Sequence, residues 1–130
     1  MSSGDSNIVV SQIAGGAITQ YSLIVRDSST GKWTTADAKN AAADMIGIAQ
    51  SAAAADLAVI DVLIFGVSRV AMGDTTATYG GALMVGTSGT VGQAIAQTGA
   101  GARTLGQILS PAAAAGQFAT IFFMPGRFVS

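Results

Sequence analysis

The chain has 130 residues, with seven aspartates, six lysines and arginines together, and no cysteine, histidine or glutamate. That length fits one domain, or two small halves sharing a core. The missing residue types exclude disulfides, thiolate nucleophiles, zinc ribbons and the commonest general base, and a net charge of −1 argues against nucleic acid as the main partner. Alanine supplies 25 positions and glycine 17, while only 10% of residues are charged, which leaves little to keep the surface apart from its neighbours.

In chain order, a polar arm (Met1–Asn7) leads into an apolar patch (Ile8–Val10) and a first strand over Ile8–Ile13. We assign residues 1–13 to an extended arm and 14–130 to a single β domain. Ile18–Arg26 reads as a strand, DSSTGK (Asp27–Lys32) as a hairpin turn and Trp33–Thr35 as the start of the return strand. Ala36–Asp44 has room for one helical turn. Strands follow at Met45–Gln50, Leu57–Phe65, Val67–Met72, Leu83–Val85, Val91–Gln97, Leu105–Leu109 and Phe118–Met124, with a bulge expected at Gly66. The alanine patches at 41–43, 52–55 and 112–115 are too short to stand as helices and read as single turns or connectors. The pattern predicts an all-β chain, a small barrel or sandwich with short helical turns.

The run from Leu57 to Met72 is too short to cross a membrane as a helix and carries Asp61 and Arg69. Met1–Gly16 has neither the basic nor the apolar stretch of a signal peptide, so the chain reads as soluble and made in a cytoplasm.

The sequence also aligns with itself at a spacing of about 60 residues. Leu23/Leu83, Val25/Val85, Ser28/Ser88 and Thr30/Thr90 coincide, and so do Gly47/Gly106, Ser51/Ser110 and, with one insertion, Gly66/Gly126. Two pseudo-repeated halves, about 17–66 and 77–126, follow from this. Neither half buries enough surface alone.

No catalytic constellation is present. Six of the seven aspartates fall in expected turns, connectors or the arm, where Asp is favoured for local backbone hydrogen bonds. Asp61 instead interrupts a strand. It faces solvent, or a subunit interface with a cation such as Arg69 or Arg103 as partner. The glycines of GGALMVGTSGTVG have no Walker lysine beside them. No cofactor, metal or small-molecule substrate is expected. Trp33 reads as core, lid or interface anchor. Adjacent Phe122 and Phe123 point to opposite sides of a strand, so one of them, with Phe128 beyond, is a candidate for cover by another subunit.

The order AGGAITQYSLIV…TGKW…AAADMIGIAQSAAAADLAVIDVLIFGV, then GGALMVGTSGTV…RTLGQILSPAAAAGQFATIFFMPG, resembles the capsid decoration, or cement, proteins of tailed bacteriophages. The elements that carry the resemblance are Ile46–Ala49, Ala52–Ala55, Val59–Gly66, Leu105–Leu109 and Ala113–Met124, over about residues 14–126. Asp56 and Pro111 depart from the pattern. The resemblance implies a non-enzymatic, β-rich virion protein that binds the major capsid protein on the outer surface of an icosahedral shell. It further implies trimers at three-fold and quasi-three-fold sites, which stabilise the expanded shell. It also implies an N-terminal arm that orders on the shell, for which Ile8, Val9, Val10 and Ile13 are the candidate contacts. Trp33, Asp61, Arg69, Phe122, Phe123 and Phe128 are the candidate subunit interface. Neither nucleic acid nor a membrane is an expected partner. A surface-layer or fimbria-like subunit and a small-ligand-binding barrel are the competing readings.

Overall fold

A computed structural model describes residues 7–27, 29–36, 45–73, 82–85, 92–96, 105–112, 114 and 116–124. Among the described residues nine strands form: β1 (Ile8–Ile13), β2 (Leu23–Arg26), β3 (Trp33–Thr35), β4 (Ile46–Ala49), β5 (Val59–Ala71), β6 (Ala82–Val85), β7 (Ala94–Ala96), β8 (Gly106–Ser110) and β9 (Phe118–Phe123). All ladders between them are antiparallel. Valine and isoleucine are concentrated in β1, β2, β4 and β5, where they fit a pleated, half-buried surface.

The strand order is β3-β2-β4-β5-β9-β8-β6-β7, with β1 also paired to β5. This path is open at β3 and β7, so the fold is a sandwich-like arrangement and the barrel alternative is not realised. No described residue is helical. Ala53, inside the second alanine patch, makes an isolated bridge with Ile18. The turn expected over Ala36–Asp44 lies outside the described residues beyond Ala36.

Several strand ends shift from the sequence expectation. The strand expected from Ile18 begins at Leu23, because Tyr21 takes φ 66°, a left-handed value that no regular strand accommodates. Leu57 takes φ 71° and likewise delays β5 to Val59. Gly66 does not end that strand: β5 runs through it to Ala71, 13 residues in all.

The core falls into two clusters. Leu23, Val25, Ile46, Ile48 and Leu63 meet Val70, Met72, Leu83, Ile121 and Phe123 in one, which ties the early strands to the late ones. Ile24, Ala49, Ile60 and Val62 surround Trp33 in the other. Alternate residues of β2 thus face different clusters, as pleating requires of a strand covered on both sides. Gly47 on β4 allows this close packing, since a Cβ there would overlap Val62 and crowd Leu63 and the Trp33 ring.

The pairing of the early strands recurs fifty-nine residues on. Ile48 opposite Leu63 and Ala49 opposite Val62 become Gln107 opposite Phe122 and Ile108 opposite Ile121. Ile24 opposite Gly47 becomes Leu83 opposite Gly106. The first strand enters the same scheme: β1 lies on the first half of β5, with Ile13 opposite Val59, as the second half of β5 lies on β9, with Ala71 opposite Phe118. The isolated parallel bridge Ala14–Trp33 is matched by Met72–Ala94. Their flanking bonds match as well, Gly15 N donating to Trp33 O at 2.7 Å and Gly73 N to Ala94 O at 2.8 Å. The left-handed turn at Leu57 is matched by Gly116 at φ 85°. Corresponding stretches are therefore 8–65 and 66–123, with the junction inside β5 at Gly66.

Candidate functional site

Among the described residues no three carboxylates gather as a metal site would require. Asp27 lies in the β2–β3 turn, where one of its carboxylate oxygens accepts the Ser29 hydroxyl at 2.7 Å and the Ser29 N–H at 2.8 Å. The hydroxyl bond, then the backbone bond, hold its pKa below the ordinary carboxylate value. Asp56 pairs with Lys32 at 3.4 Å on the surface, a contact that contributes little to stability. Among the described residues an open cleft of about 250 Å³ is lined by Thr19, Gln20, Ser22 and Phe118 among others, and a shallower one of about 390 Å³ lies beside Ser11, Ile13 and Val59. Neither gathers a set of titratable groups that could carry acid–base chemistry. No described helix is long and apolar enough to cross a membrane.

The surface is more informative than the clefts. Ile8, Val9 and Ile13 are exposed on β1 and Val10 is half-buried. They belong to a strand whose partner is β5 of the same chain. Ahead of β1, the Asn7 side chain donates from Nδ2 to Val67 O at 3.1 Å and accepts the Val67 N–H on Oδ1 at 3.0 Å. Gly66, at φ 130°, leaves room for it, since a Cβ there would overlap the Asn7 side chain.

Trp33 is 1% exposed and its Nε1–H donates to Gln12 Oε1 at 3.1 Å. It fills the second cluster and presents no surface to a partner. Phe123 is fully buried and Phe122 half-buried, as their opposite facing predicts. The Phe122 ring stands edge-on to Phe65, centroids 5.4 Å apart. Asp61 and Arg69 both face solvent from β5. Arg103 and Phe128 lie outside the described residues.

Sequence reasoning missed a set of exposed apolar side chains: Leu57, Val59, Val67, Leu109, Phe118 and Met124. Their signal lay in the strands themselves. Val59 and Val67 occupy solvent-side positions where an ordinary half-buried strand carries polar residues.

No protein-family model matches the chain, and no curated protein matches it in sequence. Among solved structures, it is similar to the N base of the head fibre protein gp8.5 of bacteriophage phi29, with a TM-score of 0.65. The two are 18% identical, and the match covers 91% of this chain and 94% of that one, which establishes a shared fold over nearly the whole of both.

Proposed function

We propose that this chain is a structural subunit of a bacteriophage virion. It binds the outer surface of the capsid as trimers at three-fold and quasi-three-fold sites and stabilises the expanded shell. The observation that carries the reading is the shared fold with the phi29 head fibre base over nine-tenths of both chains. The resemblance of its strand motifs to capsid decoration proteins supports the same conclusion, and so do its sparse charge and exposed apolar residues, which suit a surface covered in an assembly. The matched strand pairings support a reading in which the chain arose as two tandem units.

Electron cryomicroscopy of purified particles tests this. Density for the chain outside the shell at the three-fold positions is expected. Its absence from particles, or a location inside the shell or on the tail, would overturn the proposal.

A further inference from the structure

We infer that copies of this chain meet head to tail, the Asp61-bearing face of one seated on the Arg69-bearing face of the next. Two exposed faces carry the inference. On the first, Ile13 lies opposite Val59 and Ser11 opposite Asp61, so these residues share one side of the β1–β5 ladder, and Val9 borders it where the ladder passes to the buried Leu63. Val9 and Ile13 are exposed and Val59 is 64% exposed. The shallow cleft of about 390 Å³ lies beside them. The Asp61 carboxylate has one partner among the described residues, the Ser11 hydroxyl at 3.2 Å.

On the second face, Ala71 lies opposite Phe118, Arg69 opposite Thr120 and Val67 opposite Phe122. Val67 is 42% and Phe118 46% exposed. The Arg69 guanidinium has no partner among the described residues. The two faces are the corresponding sides of the two matched stretches, and Ser11–Asp61 holds the register that Arg69–Thr120 holds in the other. One apolar face therefore carries an acid and its counterpart a base.

The charges cannot meet within one chain. Eight residues of extended strand separate Asp61 from Arg69, about 26 Å. Each face placed on its own copy would set like charges together, which disfavours that arrangement. Unlike faces set acid against base and withdraw apolar surface from water at the same time. Such a contact is heterologous, and it closes into a ring or runs on as a fibre. Closure at three copies would give the trimer of the proposed function, and that clause alone rests on that reading. The inference assigns Val9 and Ile13 to a contact between copies rather than to the shell.

The chain has no cysteine, so cross-linking can be placed at will. Ser11→Cys and Thr120→Cys, beside the two charges, are prepared as separate full-length chains and mixed with a short bifunctional maleimide. A dimer linked from position 11 to position 120 is expected from the mixture at high protein concentration, with only background from either variant alone. Asp61→Arg or Arg69→Asp alone should weaken self-association by about tenfold or more. The double reversal should restore it to within about threefold. Circular dichroism establishes that these exposed substitutions leave the fold intact. The inference is overturned if the mixture yields no 11–120 link, if either variant links to itself as readily, or if association ignores the charge reversals. A chain that cross-links but is missing from particles would leave the contact standing and remove only the proposed function.

Discussion

Asn7 grips the backbone of Val67 at both of its polar groups, Nδ2 donating to the carbonyl and Oδ1 accepting the N–H. It thereby fastens the start of β1 to the middle of β5, sixty residues away. Asn7→Ala should cost about 1 kcal/mol for each bond lost, tempered by water at this exposed site. Amide exchange at Ile8–Val10 should quicken with it. Gly66→Ala should cost more, about 1–3 kcal/mol, because it adds a left-handed φ to a displaced clip. Denaturant titration of the two single variants and the double checks this. The double should cost less than the sum, since each single variant already breaks the same clip.

Leu57 and Gly116 stand at matched turns, both left-handed, yet only one of them is glycine. Leu57 is also well exposed, so its side chain gains little there. Leu57→Gly should stabilise the chain by about 0.5–1 kcal/mol through relief of the left-handed backbone. Gly116→Leu should destabilise it by a similar amount. Thermal unfolding of both variants reads the two signs directly.

Trp33 is the largest fully buried side chain, and its indole N–H is satisfied by Gln12. Trp33→Ala should cost about 3–5 kcal/mol from the cavity it leaves. Trp33→Phe should cost less, and the stranded Gln12 amide can turn to water because it is only half-buried. Gln12→Leu should cost about 1–3 kcal/mol by leaving the indole N–H without its acceptor. Chemical denaturation followed by tryptophan fluorescence measures the Gln12 variant, and circular dichroism the Trp33 variants.

Asp27 titrates below the ordinary carboxylate value because Ser29 bonds its charged form. A folded pKa below the unfolded one, about 3.9, gives stability that is present above the unfolded value and lost as pH falls through the folded value. Ser29→Ala should raise the Asp27 pKa toward the ordinary value and flatten that acid-side loss. Carboxyl NMR titration reads the shift, and an unchanged midpoint would contradict the assignment.

Most of the strands were legible because valine and isoleucine runs between Gly, Ser, Thr and Asp leave little choice. The hairpin over Asp27–Lys32 and the opposed facing of Phe122 and Phe123 were read for the same reason. What escaped the sequence was register. Leu23 and Leu83 align by eye, but the pairings set Leu83 at the place of Ile24, a shift of one residue. In a chain so rich in Ala and Gly, such a shift changes few letters but exchanges every facing. The match between β1 and the second half of β5 was hidden too. Val10, Gln12 and Ala14 correspond to Ser68, Val70 and Met72, and share no residue. Trp33 was open between core and interface because its destination depends on Gln12 reaching it from another strand.

Strand β5 belongs to both matched stretches at once, pairing with β1 and β4 early and with β9 late. Neither stretch completes its sheet without it. Two of these partners, β1 and β9, lie some fifty residues before and after it in the chain, so closing long loops must precede the gain from those pairings. Folding should accordingly be slow for a chain of this size, on the order of milliseconds to seconds. Once β5 is in place, damage in one stretch propagates to the other through a single backbone. Such a molecule should unfold as one body, with no stage in which one stretch stands folded without the other.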